Sequence, residues 1–234
     1  MTSDRRADAA PDPERFVYLP DPPDERRWDG MVFDHLSRNG NAHYLLVHLR
    51  KRRPTLMGSS RYIAPAVTDD ATGLFDPDLF VAFGADAEGY SGRNGYVISE
   101  QGKPPDFVLE IASYYTGDLD VTVKRDAYEK LGIPEYWRFD PTGEYNGAFL
   151  GADRLVDGRY EPITIVQLGH NIWQGYSEAL DLCLRWENGE LGWHDPATGR
   201  HILTFEDVRE ERIRAEARAW DLQSEITHPR GTAT

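Results

Sequence analysis

Cysteine is almost absent from this chain: Cys183 is the only one in 234 residues. No disulfide can close within the chain, and no cysteine-rich zinc site can be built. A reducing compartment, the cytoplasm, is therefore the expected setting. Long apolar runs are missing as well. No stretch approaches the roughly 18 residues of a membrane span, and the opening MTSDRRADAAPDPERF lacks the apolar segment of a secretory signal. A membrane partner is not expected. Basic charge is scarce, with 26 Lys and Arg against 40 Asp and Glu and a formal net charge of −14. Nucleic-acid binders usually carry a basic footprint, so this balance argues against a protein that coats DNA. It leaves room for a local basic patch, or for carboxylates balanced by a metal ion. The segment Gly84-Ala-Asp-Ala-Glu-Gly89 lacks the lysine of a phosphate-binding loop. No HExxH or nucleophile-elbow motif is present.

What the chain does have is material for a core: 40% of its residues are hydrophobic and 12% aromatic. Its 15 prolines and 21 glycines supply many turns, against a helical bundle. Residues 1–27 are rich in Pro, Asp, Glu and Arg and read as a loosely ordered arm. From Trp28 to Arg53 the pattern is helical, broken at Asn39-Gly40 and stopped by Pro54. Strands are expected at Arg61–Ala64, Leu79–Phe83, Gly95–Ser99 and Phe107–Ala112, between turn residues. A helix from Val121 to Leu131 and a strand from Glu135 to Phe139 follow. This strand–helix–strand unit is long enough for a parallel crossover. Beyond it, Asp157-Gly158 and Asn188-Gly189 mark two antiparallel hairpins. Thr204 to Glu225 has the composition of a charged helix. Its apolar positions Val208, Ile213, Ala217, Trp220 and Leu222 do not sustain heptads, and a solvated helix is favoured over one paired with another chain. The expected organisation is an arm (1–27), a domain (28–205) and a charged C-terminal helix and tail (206–234).

The chemistry centres on Glu110, which interrupts the run FVLEIA. A carboxylate in a strand dry on both faces costs several kcal/mol unless it is paired, protonated or bound to a cation; a buried structural salt bridge is the plain alternative. Asp106, Val108, Glu110 and Ala112 share one strand face, but about 13 Å separates the α-carbons of Asp106 and Glu110 at about 3.3 Å per residue. A second ligand to the same metal must come from a neighbouring strand, and Asp78, at the mouth of the strand Leu79–Phe83, is the candidate. Read alone, Asp78 is a turn residue before a strand. Val121, Lys124, Tyr128 and Leu131 form one helix stripe, so Lys124 lies on the face that packs on the sheet. There it either snorkels along apolar surface or points into a carboxylate pocket. Two carboxylates and a lysine meeting at a sheet edge suit Mg²⁺-dependent phosphodiester hydrolysis. His43 and the basic run Arg50-Lys51-Arg52-Arg53 are weaker signals, each explained as well by an ordinary helix. Tyr136 and Trp137 are better read as core.

These residues resemble a known family. Pro77-Asp78 before an apolar strand, the block Pro-Asp-Phe-Val-Leu-Glu-Ile-Ala-Ser (105–113), an acidic residue and Lys124 on the next helix, Tyr128, and Leu-Gly-Ile-Pro-Glu-Tyr-Trp-Arg-Phe-Asp-Pro (131–141) look like the motif core of the Uma-two family. Its members are described as putative restriction endonucleases of the PD-(D/E)XK superfamily. The resemblance covers roughly residues 28 to 205. It implies an α/β restriction-endonuclease-like fold, a mixed central sheet flanked by helices. It further implies a metal-dependent endonuclease acting on DNA with Mg²⁺ or Mn²⁺, with Asp78 and Glu110 as metal ligands and Lys124 as the catalytic cation. Asp106, Ser113 and His43 take supporting places. The superfamily lysine two residues after the glutamate is replaced by Ala112, and Tyr114 stands where relatives often carry lysine, so Lys124 is the substitute. A homodimer is expected by analogy with DNA cutters that act on two strands. The rival reading is a non-catalytic module that keeps the nuclease fold for binding or assembly.

Overall fold

Three apolar runs, 79–83, 107–111 and 135–139, lie side by side at the centre of one sheet. The structure, a computed structural model, describes residues 17–22, 33–38, 40–113, 120–202 and 204–227. In chain order the elements begin with a π-helical turn (Phe33–Arg38), α1 (Asn41–Arg50), β1 (Thr55–Gly58), β2 (Ile63–Ala64), β3 (Leu79–Phe83) and α2 (Ala87–Arg93). Next come β4 (Tyr96–Val97), α3 (Ile98–Gln101), β5 (Phe107–Ile111), a second π-helical turn (Asp120–Lys124), α4 (Arg125–Lys130) and β6 (Glu135–Phe139). The remainder is β7 (Leu150–Val156), β8 (Arg159–Pro162), β9 (Ile165–Gly169), β10 (Ile172–Ser177), β11 (Leu182–Glu187), β12 (Glu190–His194) and α5 (Phe205–Thr227).

The large sheet has the order β1-β3-β5-β6-β7-β8 among the described residues. Only β5 and β6 within it run parallel; β1–β3, β3–β5, β6–β7 and β7–β8 are antiparallel. The parallel pair is the crossover expected from 107–139, with the π-turn and α4 as its connection. A four-stranded antiparallel sheet, β12-β11-β10-β9, lies beside it, and β2 pairs with β4. The fold is thus mixed α/β, with antiparallel hairpins and a C-terminal helix.

Alternation along the central strands sorts their side chains into two cores. Leu79, Val81, Leu109, Ile111, Trp137 and Phe139 pack on one face with Leu45 and Leu49 of α1 and with Leu184 and Trp193 of the second sheet. Phe80, Ala82, Val108 and Tyr136 pack on the other with Tyr128 of α4. Each fully buried large side chain contributes about 1.5–3 kcal/mol, and covering both faces explains why these runs lack polar alternation. The second sheet comes close to the first at Gly175, where a Cβ would stand 2.8 Å from the Trp137 ring.

Buried ion pairs fix the crossover. Arg125, at the start of α4, donates to Asp153 of β7 at 3.0 Å and to the Tyr160 carbonyl of β8. Arg138 of β6 holds the other Asp153 oxygen at 2.7 Å.

Several details differ from the sequence reading. The strand β1 and the hairpin β9–β10 were not anticipated: Thr55-Leu-Met-Gly58 is too short to show a period, and β9 is mostly exposed. The expected arm lies mostly outside the described residues. Its described part, 17–22, is held on the domain: Leu19 is buried beside Tyr62 and Val97 and its N–H donates to the Arg93 carbonyl.

His194 of β12 is buried, and burial first, then the nearby Arg185 charge, pushes its pKa down to about 4. An unfolded histidine titrates near 6.5, so between pH 6.5 and 4 the unfolded chain binds the proton that the folded chain refuses. This contribution is complete above pH 6.5 and is lost as pH falls towards 4. We predict that His194→Gln flattens the fall in urea midpoint across this interval relative to the parent protein; an unchanged slope would mean that His194 accepts its proton in the folded state.

Candidate functional site

The site begins with strand register. Leu79 of β3 faces Leu109 of β5, and one step further the antiparallel pairing sets Asp78 opposite Glu110. Cross-strand neighbours of this kind have Cβ atoms about 4.5–5.5 Å apart. Pro77 precedes the strand, and the Asp78 carboxylate accepts a 2.7 Å hydrogen bond from the Ile111 N–H. Asp78 is therefore locked onto the neighbouring strand beside Glu110, whose residue exposure is 2%.

The crossover supplies the cation. The π-turn Asp120–Lys124 runs directly into α4, and Asp120, Lys124 and Tyr128, spaced by four, are all buried. The Lys124 ammonium lies 2.8 Å from Glu110 Oε2 and 2.8 Å from Asp120 Oδ1. The other Glu110 oxygen accepts from the Tyr128 hydroxyl at 2.7 Å. Tyr136 of β6 donates to the Asp120 carbonyl at 2.9 Å, and its ring lies 5.0 Å from that of Tyr128.

The electrostatics follow from these neighbours. Burial, then the Glu110 charge, pushes the Asp78 carboxyl well above the usual carboxylate range, against the pull of Lys124 and the Ile111 N–H. Burial also works against charge on Lys124, but Glu110, Asp120 and Asp78 outweigh it and hold the ammonium above the ordinary lysine range. Burial, then Glu110, likewise keeps the Tyr128 hydroxyl protonated. Among the described residues, three carboxylates face one ammonium, so full ionisation leaves two negative charges in excess.

Of the residues singled out in the sequence, Asp78, Glu110 and Lys124 are brought together. Asp106 is not: at the opposite end of β5 it accepts from the Phe83 N–H at 2.7 Å and pairs with Lys103 at 2.6 Å, fastening β3 to β5. Ser113 is buried two residues beyond β5; Tyr114 lies outside the described residues. His43 is on the exposed side of α1, whose buried leucines enter the core on the opposite face of the sheet, so it stands apart from the carboxylates. The basic run is largely occupied in holding the domain together. Arg52 pairs with Asp181 at 2.7 Å, and Arg53 lies over the Phe83 ring while donating to the Ala179 carbonyl. Asp120 was anticipated only as an unnumbered acidic residue; its signal is an acid four residues before a lysine on one helical face.

A divalent cation fits this donor set in part. Among the described residues, no three His, Cys, Asp or Glu side chains are grouped so as to hold a metal on their own. Mg²⁺, however, commonly binds through one or two carboxylates and keeps several waters. The excess negative charge at Asp78 and Glu110 is the feature such an ion would relieve, with Glu110 shared between it and Lys124.

Asp78, Glu110, Asp120 and Lys124 thus meet on one face of the central sheet, beside the β5–β6 crossover. The chain belongs to the Uma2 family, described as putative restriction endonuclease, whose family model matches residues 29–176. It is also similar to a solved structure, a putative nuclease belonging to DUF820 from Anabaena variabilis ATCC 29413. The identity is 15% and the TM-score 0.37, covering 56% of this chain and 69% of that one. No curated protein matches the chain. Among the described residues no helix is long and apolar enough to cross a membrane.

Removing one partner of a buried ion pair strands the other charge and costs about 3–5 kcal/mol. We predict that Lys124→Met lowers unfolding free energy by about that much in urea titrations, and that adding Glu110→Gln restores part of it. A Lys124→Met protein as stable as its parent would contradict the buried pairing.

Proposed function

We propose that the protein is a divalent-metal-dependent endonuclease that hydrolyses DNA phosphodiester bonds at the Asp78–Glu110–Lys124 cluster, with Asp120 as a fourth member. The observation that carries this reading is the unbalanced charge: buried Glu110 and half-buried Asp78 face each other across two strands, with Lys124 the cation beside them among the described residues. Family membership supports the reading. Asp78 and Glu110 are the residues that would hold Mg²⁺ or Mn²⁺. When bound, such an ion polarises a phosphoryl oxygen and lowers the pKa of an attached water. The chain's own groups do the remaining work. Lys124 offers a fixed ammonium to charge developing on the phosphate. Tyr128 holds one Glu110 oxygen by its hydroxyl, which keeps the carboxylate from rotating away. The Ile111 N–H does the same for Asp78.

A second reading has its own observation. Lys124 already pairs with both Glu110 and Asp120, and Ala112 stands where the superfamily carries its lysine. A lysine already engaged by two carboxylates suits a non-catalytic module that keeps the fold for binding or assembly.

The two readings separate on metal binding. On the first, the raised Asp78 carboxyl must lose its proton to take a metal, so binding releases a proton and strengthens as pH rises through that group's pKa. Calorimetry in buffers of different ionisation enthalpy should record Mg²⁺ or Mn²⁺ uptake with proton release. The same ions should support plasmid nicking that Glu110→Ala abolishes. No heat of binding would favour the second reading, and cutting that survives Glu110→Ala would place the activity elsewhere.

A further inference from the structure

The C-terminal helix α5 spans Phe205–Thr227. Phe205, Val208, Ala215, Ala219, Leu222 and Ile226 fall at alternating steps of three and four along the sequence, with Arg212 completing the seam. This is a heptad seam, and it emerges once alanines are counted as seam residues. Val208, Ala215 and Ala219 are all exposed, so the described part of the seam is not spent on the domain. A helix whose described residues are exposed all round lacks the burial that normally sustains one.

We propose that α5 of one chain binds α5 of a second copy in antiparallel orientation. Charge complementarity selects both the occupant and the direction. With Val208 set against Ala219 of the second copy, the pair recurs by symmetry, and Arg212 faces Ala215 at the centre, where a small side chain leaves room for the arginine stem. In antiparallel coiled coils the residues one step after the Val208-type positions flank the seam and meet their own kind across it. Here these are Arg209 and Glu216, so each copy's Arg209 meets the other's Glu216, twice per dimer. Glu216 already pairs with Arg212 of its own helix at 2.7 Å, which places the central arginine within one charge network. A parallel pairing would instead set Arg209 against Thr204 and forgo both contacts. The inference is independent of whether the carboxylate cluster cuts DNA.

The test uses the full chain. Sedimentation equilibrium should show a monomer–dimer equilibrium that Arg209→Glu weakens roughly tenfold, by setting like charges against each other twice, and that Arg209→Glu with Glu216→Arg restores. Direction is read from cross-linking under mild oxidation. Val208→Cys combined with Ala219→Cys should give covalent dimers, while either change alone gives none, since each position then faces an unaltered residue. A monomer at the highest soluble concentration overturns the proposal. So do cross-links from Val208→Cys alone, which mean a parallel pair, and a dimer that Arg209→Glu leaves unweakened, which means another interface. Circular dichroism of each variant confirms that the domain itself is unchanged.

Discussion

Two carboxyl groups held face to face across neighbouring strands are the constraint around which this molecule is arranged. Asp78 and Glu110 are brought opposite by the β3–β5 register, at the centre of the large sheet. Water is largely excluded, so their repulsion must be met by groups the fold supplies. The crossover between β5 and β6 does this by delivering Lys124, the Tyr128 hydroxyl and a third carboxylate to one place. The parallel β5–β6 pair requires a connection of that length, and the connection's buried stripe is also the cluster's positive half. Topology and charge compensation are here the same piece of chain.

Compensation is incomplete, and that matters for function. One ammonium cannot balance three carboxylates, and the carboxyl that burial and Glu110 push upward, Asp78, is the one lacking an ion pair with Lys124 at bonding distance. Acid–base sites are often recognised by such disturbed groups, although purely structural networks disturb them too. Family membership in Uma2 raises the standing of the first possibility. The acidity of the surface fits less easily with DNA, because the basic run at the end of α1 is engaged by Asp181, Ala179 and Phe83.

Much of this was legible in the residues. The strands at 79–83 and 135–139 end where their apolar runs end, and Glu110 stood out because a charge in a dry run demands an explanation. Lys124 was placed correctly by helical spacing from Tyr128. What escaped notice did so for physical reasons. Asp120 lies in a π-helical turn, one residue ahead of the helix expected from Val121, so ordinary helical phasing gave it no number. Asp106 shares a strand face with Glu110, yet its duty is to cap β3 from the far end, which only pairing reveals. Arg52 is explained by a tertiary neighbour distant in sequence, Asp181.

The neighbouring cations Lys124 and Arg125 point to different strands: the first to Glu110 of β5, the second to Asp153 of β7. Between them they pin the start of α4 at two points across the width of the sheet. Sliding of α4 along its own axis would break both attachments at once, and tilting would break one. The segment that carries the lysine is thereby indexed to the strands that carry the carboxylates, like a rack held by two teeth. Any substrate that engages this cluster meets groups whose spacing was fixed during folding, and adjustment on engagement falls to parts of the chain other than this helix.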